Sequence, residues 1–168
     1  MIRPAALADA DALAEAVVRI WRAAYRGVVP DAFLAALTVE GRVAVWRKFI
    51  ADGHRDIAVC EVDGRLVGFV SVESSRDAEA AADTGEVVAL YVDLGVWRRG
   101  FGRQLMDWAK GVARRRSWQR LTLWVLRDNT RARAFYEAAG FGLDGAARDH
   151  DFAGTPVAEV RYAWERGE

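Results

Sequence analysis

The chain has 168 residues, of which 52% are apolar and 29% charged, so it is long enough and apolar enough for one folded domain with a substantial core. Basic and acidic residues number 24 each, and this balance argues against a protein that binds nucleic acid mainly by neutralising phosphates. The sequence holds no apolar run of the roughly 18 residues that span a membrane, no signal-peptide pattern and only one cysteine, Cys60. We therefore expect a cytoplasmic domain with no metal, nucleic-acid partner or membrane partner.

The first half of the sequence predicts three helices and a β-hairpin. Apolar residues recur at helical spacing after Asp9 and Asp11, whose carboxylates suit a helix N-terminus, and the pattern breaks at residues 27–30. Two more helices are expected at residues 31–37 and 39–51, and two strands at residues 56–62 and 65–73. The Asp63-Gly64 pair between these strands is a strong hairpin signal.

The second half of the sequence alternates strands and helices after a polar stretch, residues 74–85, that is expected to be a surface loop. The predicted elements are a strand at 86–92, a helix that follows a glycine-rich turn and ends near Arg116, a strand at 121–126, and a helix between the N-cap Asn129 and Gly140. Two weaker strands are expected near residues 141–143 and 157–164. This order predicts a mixed α/β fold class.

The segment between Val92 and Arg103 joins a strand to a helix and carries Gly100 and Gly102. Glycine lets the backbone approach a ligand closely, and the N–H groups at the start of the helix suit a diphosphate. A strand–helix turn that binds no ligand would also use these glycines. Leu105 stands where a dinucleotide fingerprint has its third glycine, and the Walker A ending is missing.

Two motifs together resemble the GNAT superfamily of acetyl-CoA-dependent N-acetyltransferases. Residues 97–102, Trp-Arg-Arg-Gly-Phe-Gly, are similar to the family's acetyl-CoA motif Q/R-x-x-G-x-G/A, from which Trp97 departs. The second motif is a strand, an asparagine and a helix that ends in Tyr-Glu-x-x-Gly-Phe, and residues 123–141 match it through Asn129. The motifs occur in the family's order and at about its spacing, and the resemblance covers essentially the whole chain.

The resemblance implies a single GNAT domain over residues 1–168. Its expected architecture is a mixed, mostly antiparallel twisted sheet of about seven strands flanked by about four helices, with the fourth and fifth strands splayed around acetyl-CoA. It also implies direct transfer of acetyl to a primary amine, which needs no cysteine nucleophile. Cys60 lies in an apolar strand and is expected to be structural.

The resemblance also carries the cofactor contacts over to positions in this sequence. The expected acetyl-CoA contacts are Leu90, Tyr91, Val92, Arg98, Arg99, Gly100, Phe101, Gly102, Arg103, Asn129 and Tyr136. The backbone of residues 90–92 would hold the pantetheine arm and polarise the thioester carbonyl. For Asn129, a role as helix N-cap alone would account for the asparagine as well as a contact with CoA does.

Tyr136 and Glu86 are the catalytic candidates. Tyr136 occupies the family's tyrosine position near the CoA sulfur, where a phenol can protonate the leaving thiolate. We expect Phe135 on the core face of its helix, so that Tyr136 points elsewhere. Glu86 matches a glutamate that some members use as a base, and burial would improve it in that role, although a solvated strand-start residue fits equally.

The acceptor site is predicted from aromatic and acidic residues. Trp21 and Tyr25 lie in the helical region that covers the acceptor site in the family. The loop before Glu86 carries Asp77, Glu79 and Asp83, of which Asp83 is the candidate for the acceptor site. Carboxylates beside aromatic rings attract a cationic amine, so these residues are hypothesised to bind the acceptor. The alternative is that the loop is merely polar and the rings belong to the core.

Three functions follow from the resemblance, with a homodimer possible in each. We expect an N-acetyltransferase that acts on a small-molecule amine. One alternative acceptor is a protein N-terminus or lysine, and another function is a catalytically silent acetyl-CoA sensor. The sequence does not name the acceptor, because the acceptor pocket is the variable part of the fold.

Overall fold

The computed structural model describes residues 1–167, over which helices and strands follow one another in mixed α/β order. The helices are α1 (Ala10–Ala24), α2 (Asp31–Ala36), α3 (Val39–Asp52), α4 (Phe101–Arg115) and α5 (Thr130–Ala138). The strands are β1 (Ile2–Pro4), β2 (Asp56–Val62), β3 (Arg65–Ser74), β4 (Thr84–Val92), β5 (Arg120–Leu126), β6 (Gly142–Phe152) and β7 (Thr155–Glu165). None of these helices has the length and apolar composition to cross a bilayer.

The seven strands form one mixed sheet in the order β1-β2-β3-β4-β5-β7-β6. Every neighbouring pair is antiparallel except β4 and β5, which run parallel. The predicted fold class and the strand number are therefore confirmed. The α-helices number five over the described residues, as the chain-order analysis predicts, whereas the resemblance implied about four.

Strands β4 and β5 separate along most of their length. They pair only from Thr84 with Arg120 to Glu86 with Thr122, whereas β4 continues to Val92 and β5 to Leu126. A bulge at Val88 bends β4 just beyond the last pair, because Ser71 faces Ala89 while the next residue of β3 faces Val87. The result is an opening, called here the strand gap, that widens toward the carboxyl ends of both strands.

Two apolar layers cover the two faces of the sheet. Helix α4 buries Leu105, Met106 and Val112 against one face together with alternate residues of β5 such as Leu121 and Leu123. Helices α1 and α3 cover the other face with a second cluster, which contains Leu13, Val17, Trp46, Val59 and Phe69. The intervening β5 residues, Thr122, Trp124 and Leu126, therefore lie on the α1 side.

Strand β6 is longer than expected, since the sequence indicates only residues 141–143 and the structure extends the strand to Phe152. The added segment is too polar for an alternating apolar pattern. Its pairing with β7 is supported by ion pairs that join Asp144 to Arg161 and Arg148 to Glu159. Tertiary contacts thus form a strand that the local sequence does not indicate.

Candidate active site

The connection between β4 and α4, residues 93–100, is held in a fixed shape by Trp97. The Trp97 indole N–H donates to the Val92 carbonyl at 2.7 Å, across the base of the turn. Arg98 and Gly100 both adopt left-handed backbone angles, with φ of 60° and 83°. Trp97, which departs from the family motif, therefore stabilises the turn, and Gly100 permits the conformation that starts α4.

The backbone N–H groups of residues 98–103 converge at the N-terminus of α4. Within residues 1–167 none of the six donates a hydrogen bond to another part of the protein. Because α4 is 15 residues long, its dipole adds positive potential at the same place. Residues 93–103, called here the phosphate turn, form an anion cradle at the wide end of the strand gap.

Four arginines surround the phosphate turn. Arg98, Arg99 and Arg103 are exposed, and none forms an ion pair with another described residue. Arg131, from the first turn of α5, places its guanidinium over the Trp97 ring at 4.7 Å. The sequence analysis missed Arg131. The helix dipole disfavours a basic residue in the first turn of a helix, and this turn holds no acidic residue. Arg131 could therefore have been recognised from the sequence as a candidate for binding an anion.

Gly102 lies in the first turn of α4, at the helical end of the phosphate turn. A Cβ atom at this position would lie 3.3 Å from the Phe135 ring and 3.8 Å from Val92 Cγ2. The missing side chain therefore lets α4 and α5 approach closely, and only the N–H group of Gly102 faces the cradle. Phe101 is half-buried in the core cluster beneath α4.

The three β4 residues expected to hold the pantetheine arm, Leu90, Tyr91 and Val92, all lie beyond the last pair with β5. On their other side they pair with Val70, Phe69 and Gly68 of β3. Since backbone groups of a strand point alternately to its two neighbours, the groups that face the strand gap have no strand partner among the described residues.

Tyr136 is the buried residue of α5, so the expectation that it points away from the core is wrong, whereas Phe135 packs against the core cluster as expected. The Tyr136 ring packs among Phe135, Phe141 and Tyr162, with centroid distances of 5.3 to 6.4 Å. Its hydroxyl makes no hydrogen bond to another described residue. Burial, with a smaller effect of Tyr25, raises the Tyr136 pKa well above its usual value, so the phenol stays protonated.

Glu86 is not the free base that the sequence analysis considered. It is 1% exposed, and Arg76 donates to both of its oxygens through the guanidinium and to one of them through the backbone N–H. A carboxylate held in this way is the partner of an ion pair rather than an available proton acceptor. No local pattern indicates this contact, because Arg76 lies in the stretch that was expected to be a surface loop.

Trp21 and Tyr25 lie against β4 at the strand gap. The Trp21 ring is 6.0 Å from that of Tyr91, and the hydroxyls of Tyr25 and Tyr91 are 3.2 Å apart. Burial is the main cause that raises the pKa of both tyrosines. The face of the sheet that carries Tyr91 and Trp124 is called here the acceptor face.

Asp83 does not join these aromatic residues. It is exposed and precedes β4, whereas Tyr91 stands eight residues further along the strand, a distance of about 26 Å in extended chain. The loop acid that reaches the acceptor face is Asp77, which accepts hydrogen bonds from the Trp124 indole at 3.1 Å and from Arg161 at 2.8 Å. The predicted position of the loop carboxylate is thus corrected from Asp83 to Asp77.

Charged residues of β6 and β7 complete the acceptor face and were not singled out from the sequence. Arg148 lies over the Trp124 ring at 4.1 Å and donates to Glu159 at 2.8 Å. Glu159 and Arg161 occupy alternate positions of β7 and so share one face. The alternate spacing of Glu159 and Arg161 was the sequence feature that could have indicated a charged face on this strand. Among residues 1–167 no group of three or more metal-ligating side chains occurs.

Comparison with known proteins assigns the family. Residues 14–141 match the model of the acetyltransferase (GNAT) family. An uncharacterised N-acetyltransferase of Archaeoglobus fulgidus is 32% identical over 131 residues, which are 77% of this chain and 86% of that protein. Mycothiol acetyltransferase of Beutenbergia cavernae is 50% identical over 60 residues, so that match spans 36% of this chain and only a fifth of the relative.

Solved structures share the fold. The PaiA N-acetyltransferase of Thermoplasma acidophilum, in complex with coenzyme A, has a TM-score of 0.76 at 18% identity and covers 99% of this chain and 98% of its own. YncA of Salmonella typhimurium, with acetyl-CoA, also has a TM-score of 0.76, at 20% identity over 100% of this chain and 94% of its own. The family model and the relative that is 32% identical show that the chain belongs to the GNAT family of acetyltransferases and is an acetyltransferase enzyme.

Proposed function

We propose that this enzyme transfers the acetyl group of acetyl-CoA to the primary amine of a small molecule. The observation that carries the proposal is the phosphate turn, where six unbonded N–H groups and four arginines without a carboxylate partner within residues 1–167 meet at the wide end of the strand gap. These groups fit the diphosphate of coenzyme A. The coenzyme A and acetyl-CoA complexes of the two structural neighbours support this fit.

The remaining contacts follow from the path of the strand gap. The phosphate turn binds the diphosphate, and the backbone groups of residues 90–92 that face the strand gap without a strand partner bind the pantetheine arm. The Trp97–Val92 hydrogen bond keeps the turn in place before the ligand arrives. The thioester supplies the activated acetyl group, and the protein supplies its orientation toward the acceptor face.

Tyr136 protonates the leaving thiolate in this proposal. Its raised pKa keeps the proton on the phenol at neutral pH, and its hydroxyl has no competing partner among the described residues. Glu86 has a structural role through Arg76. The acceptor amine then loses its proton to water or through its own ionisation equilibrium.

The aromatic contacts that cover the acceptor face favour a small molecule as the acceptor. Phe33 of α2 meets Phe152 of β6 in an edge-to-face contact at 5.5 Å, and Trp21 lies 6.3 Å from Phe152. These rings join the helical cover to the β6–β7 hairpin above the strand gap. An extended peptide would have to separate them, whereas a small amine would not.

Calorimetry with acetyl-CoA tests the cofactor assignment. We expect Arg98→Gln combined with Arg103→Gln to raise Kd roughly 10-fold, because two charge-assisted contacts are lost while the backbone donors remain. Arg114→Gln, at the opposite end of α4, is the matched control and leaves Kd unchanged. An unchanged Kd in the double variant would remove the diphosphate assignment.

Release of coenzyme A during incubation with acceptors tests the reaction. We expect release with small primary amines, and none above background with peptides that offer a free N-terminus or lysine. Release with the peptides alone would replace the small-molecule acceptor by a protein.

A further inference from the structure

A chain of ion pairs crosses the acceptor side of β5, β6 and β7. Carboxylates and guanidinium groups alternate along it, and the contacts between Asp144 and Glu159, with that of Arg120 to Asp144, are 2.7 to 3.9 Å long. Its members in order are Glu165, Arg120, Asp144, Arg161, Asp77, Arg148 and Glu159. Four carboxylates face three guanidinium groups, so the chain carries one formal negative charge in excess.

Glu159 is the end of this chain that lies in the interior. It is 9% exposed, and its Oε2 accepts one hydrogen bond, from Arg148 Nε at 2.8 Å. Its Oε1 receives no donor from residues 1–167. Asp77, Asp144 and Glu86, on the same side of the sheet, have donors on both oxygens. Glu159 Oε1 is thus an accessible carboxylate oxygen on a largely buried side chain, and it has an unused capacity to accept a hydrogen bond from a ligand.

Aromatic residues surround Glu159. It lies opposite Leu126 in the β5–β7 pairing, and Leu126 packs in one cluster with Phe152, Trp21 and Tyr25. The charge of Glu159 also contributes, after the larger effect of burial, to the raised pKa of Tyr25. The carboxylate is therefore close enough to Tyr25 to affect its ionisation, and it lies on the side of the sheet that carries the aromatic cluster.

We propose that Glu159 binds the amino group of the acceptor in its protonated form, and that the acceptor is a primary ammonium carried on an apolar or aromatic body. The free Oε1 accepts an N–H of the ammonium. Trp21 and Tyr25 contribute cation–π attraction and pack on the apolar body. The proposal rests on the proposed function, since it names the acceptor class of the same site.

Ligand binding to the complex with coenzyme A tests the proposal without turnover. Coenzyme A is titrated first, so that a failure of the cofactor assignment is recognised separately. The probes are 2-phenylethylammonium and 2-phenylethanol, which have similar shapes and differ in charge. We expect the ammonium to bind the wild type at least about 10-fold more tightly than the alcohol, with added salt reducing the difference.

Glu159→Gln is expected to abolish the preference for the ammonium and to leave binding of the alcohol unchanged. Glu165→Gln is the matched control. Glu165 lies on the same strand, at the other end of the chain of ion pairs, but it is largely exposed and remote from the aromatic cluster. The Glu165→Gln variant should retain the wild-type preference. A preference that persists in Glu159→Gln, or a wild type that binds neither probe, would overturn the proposal.

Arg148→Gln distinguishes two roles of Glu159: direct binding of the ammonium, and a purely structural role in which Glu159 only holds Arg148 in place. Removing the guanidinium leaves the carboxylate in place and increases the local negative charge, so the ammonium should bind as tightly as in the wild type or more tightly. If Glu159 acted only by holding Arg148, both variants would weaken the ammonium to the same extent. That result would also contradict the proposal.

Discussion

At the scale of single residues, the role of Glu86 follows from its hydrogen bonds with Arg76. The carboxylate receives three hydrogen bonds from this one residue, two from the guanidinium and one from the backbone N–H. The contact fastens the start of the loop at residues 75–83 to the strand that enters the strand gap. We therefore interpret Glu86 as a residue that fixes the loop, on which the position of Asp77 depends.

Glu86→Gln should lower the free energy of unfolding by about 1–3 kcal/mol, since the Arg76 guanidinium loses its charged partner. Denaturant titration measures this loss, and Glu79→Gln, at an exposed position in the same loop, is the control. The acidic limb of the kcat/KM profile should remain in the variant. Its disappearance would restore Glu86 as the base.

Tyr136→Phe should lower kcat by roughly 10- to 1,000-fold with little change in acetyl-CoA affinity, because the ring packing stays and the proton donor is lost. The raised pKa also predicts that wild-type kcat does not fall with rising pH until above about pH 10, since an acid with a raised pKa keeps its proton longer.

Tyr162→Phe is the control for Tyr136→Phe. The Tyr162 hydroxyl donates to Glu137 at 2.6 Å and accepts from Arg133 at 3.1 Å, so its loss should reduce stability and leave kcat near the wild-type value. Wild-type turnover in Tyr136→Phe would exclude Tyr136 as the acid.

At the scale of elements, the start of α5 is fixed by Asn129. Its side-chain oxygen accepts the Ala132 N–H at 3.1 Å, which confirms the predicted N-cap. The same helix brings Phe135 against Gly102 and Arg131 over Trp97. Capping of α5 therefore helps to position the phosphate turn, whether or not the amide also touches coenzyme A.

Two variants separate capping from cofactor contact at Asn129. Asn129→Ala should cost about 1 kcal/mol, or about 2–4 °C in Tm, because the cap is lost. Asn129→Asp keeps the cap, so its Tm should stay near that of the wild type. If acetyl-CoA binds Asn129→Asp as tightly as the wild type, the residue acts by capping, and weaker binding with an unchanged Tm would indicate a direct contact.

At the scale of the whole molecule, a formal net charge of zero conceals an uneven distribution. The acceptor face holds its arginines in ion pairs, whereas Arg98, Arg99, Arg103 and Arg131 have no carboxylate partner within the described part of the chain. The strand gap therefore has a positive end at the phosphate turn and a paired, slightly negative wall near Glu159. This asymmetry favours an anionic ligand at one end of the gap and a cationic ligand at the other.

The sequence by itself determined the elements whose signals are local. The hairpin at Asp63-Gly64 is confirmed, with both residues at positive φ, and so is the cap at Asn129. The helices and most strands lie within a few residues of their predicted bounds, because periodicity and turn chemistry act between near neighbours in the chain.

Only the tertiary structure decided which side chains meet on the acceptor side of the sheet. It paired Glu86 with Arg76, brought Asp77 rather than Asp83 to the acceptor face, and joined Arg148 to Glu159. These contacts depend on the path of a loop and on the register of strands that are distant in the chain. Since a change of one residue in register moves a side chain to the other face of the sheet, residue types and spacing alone do not determine them.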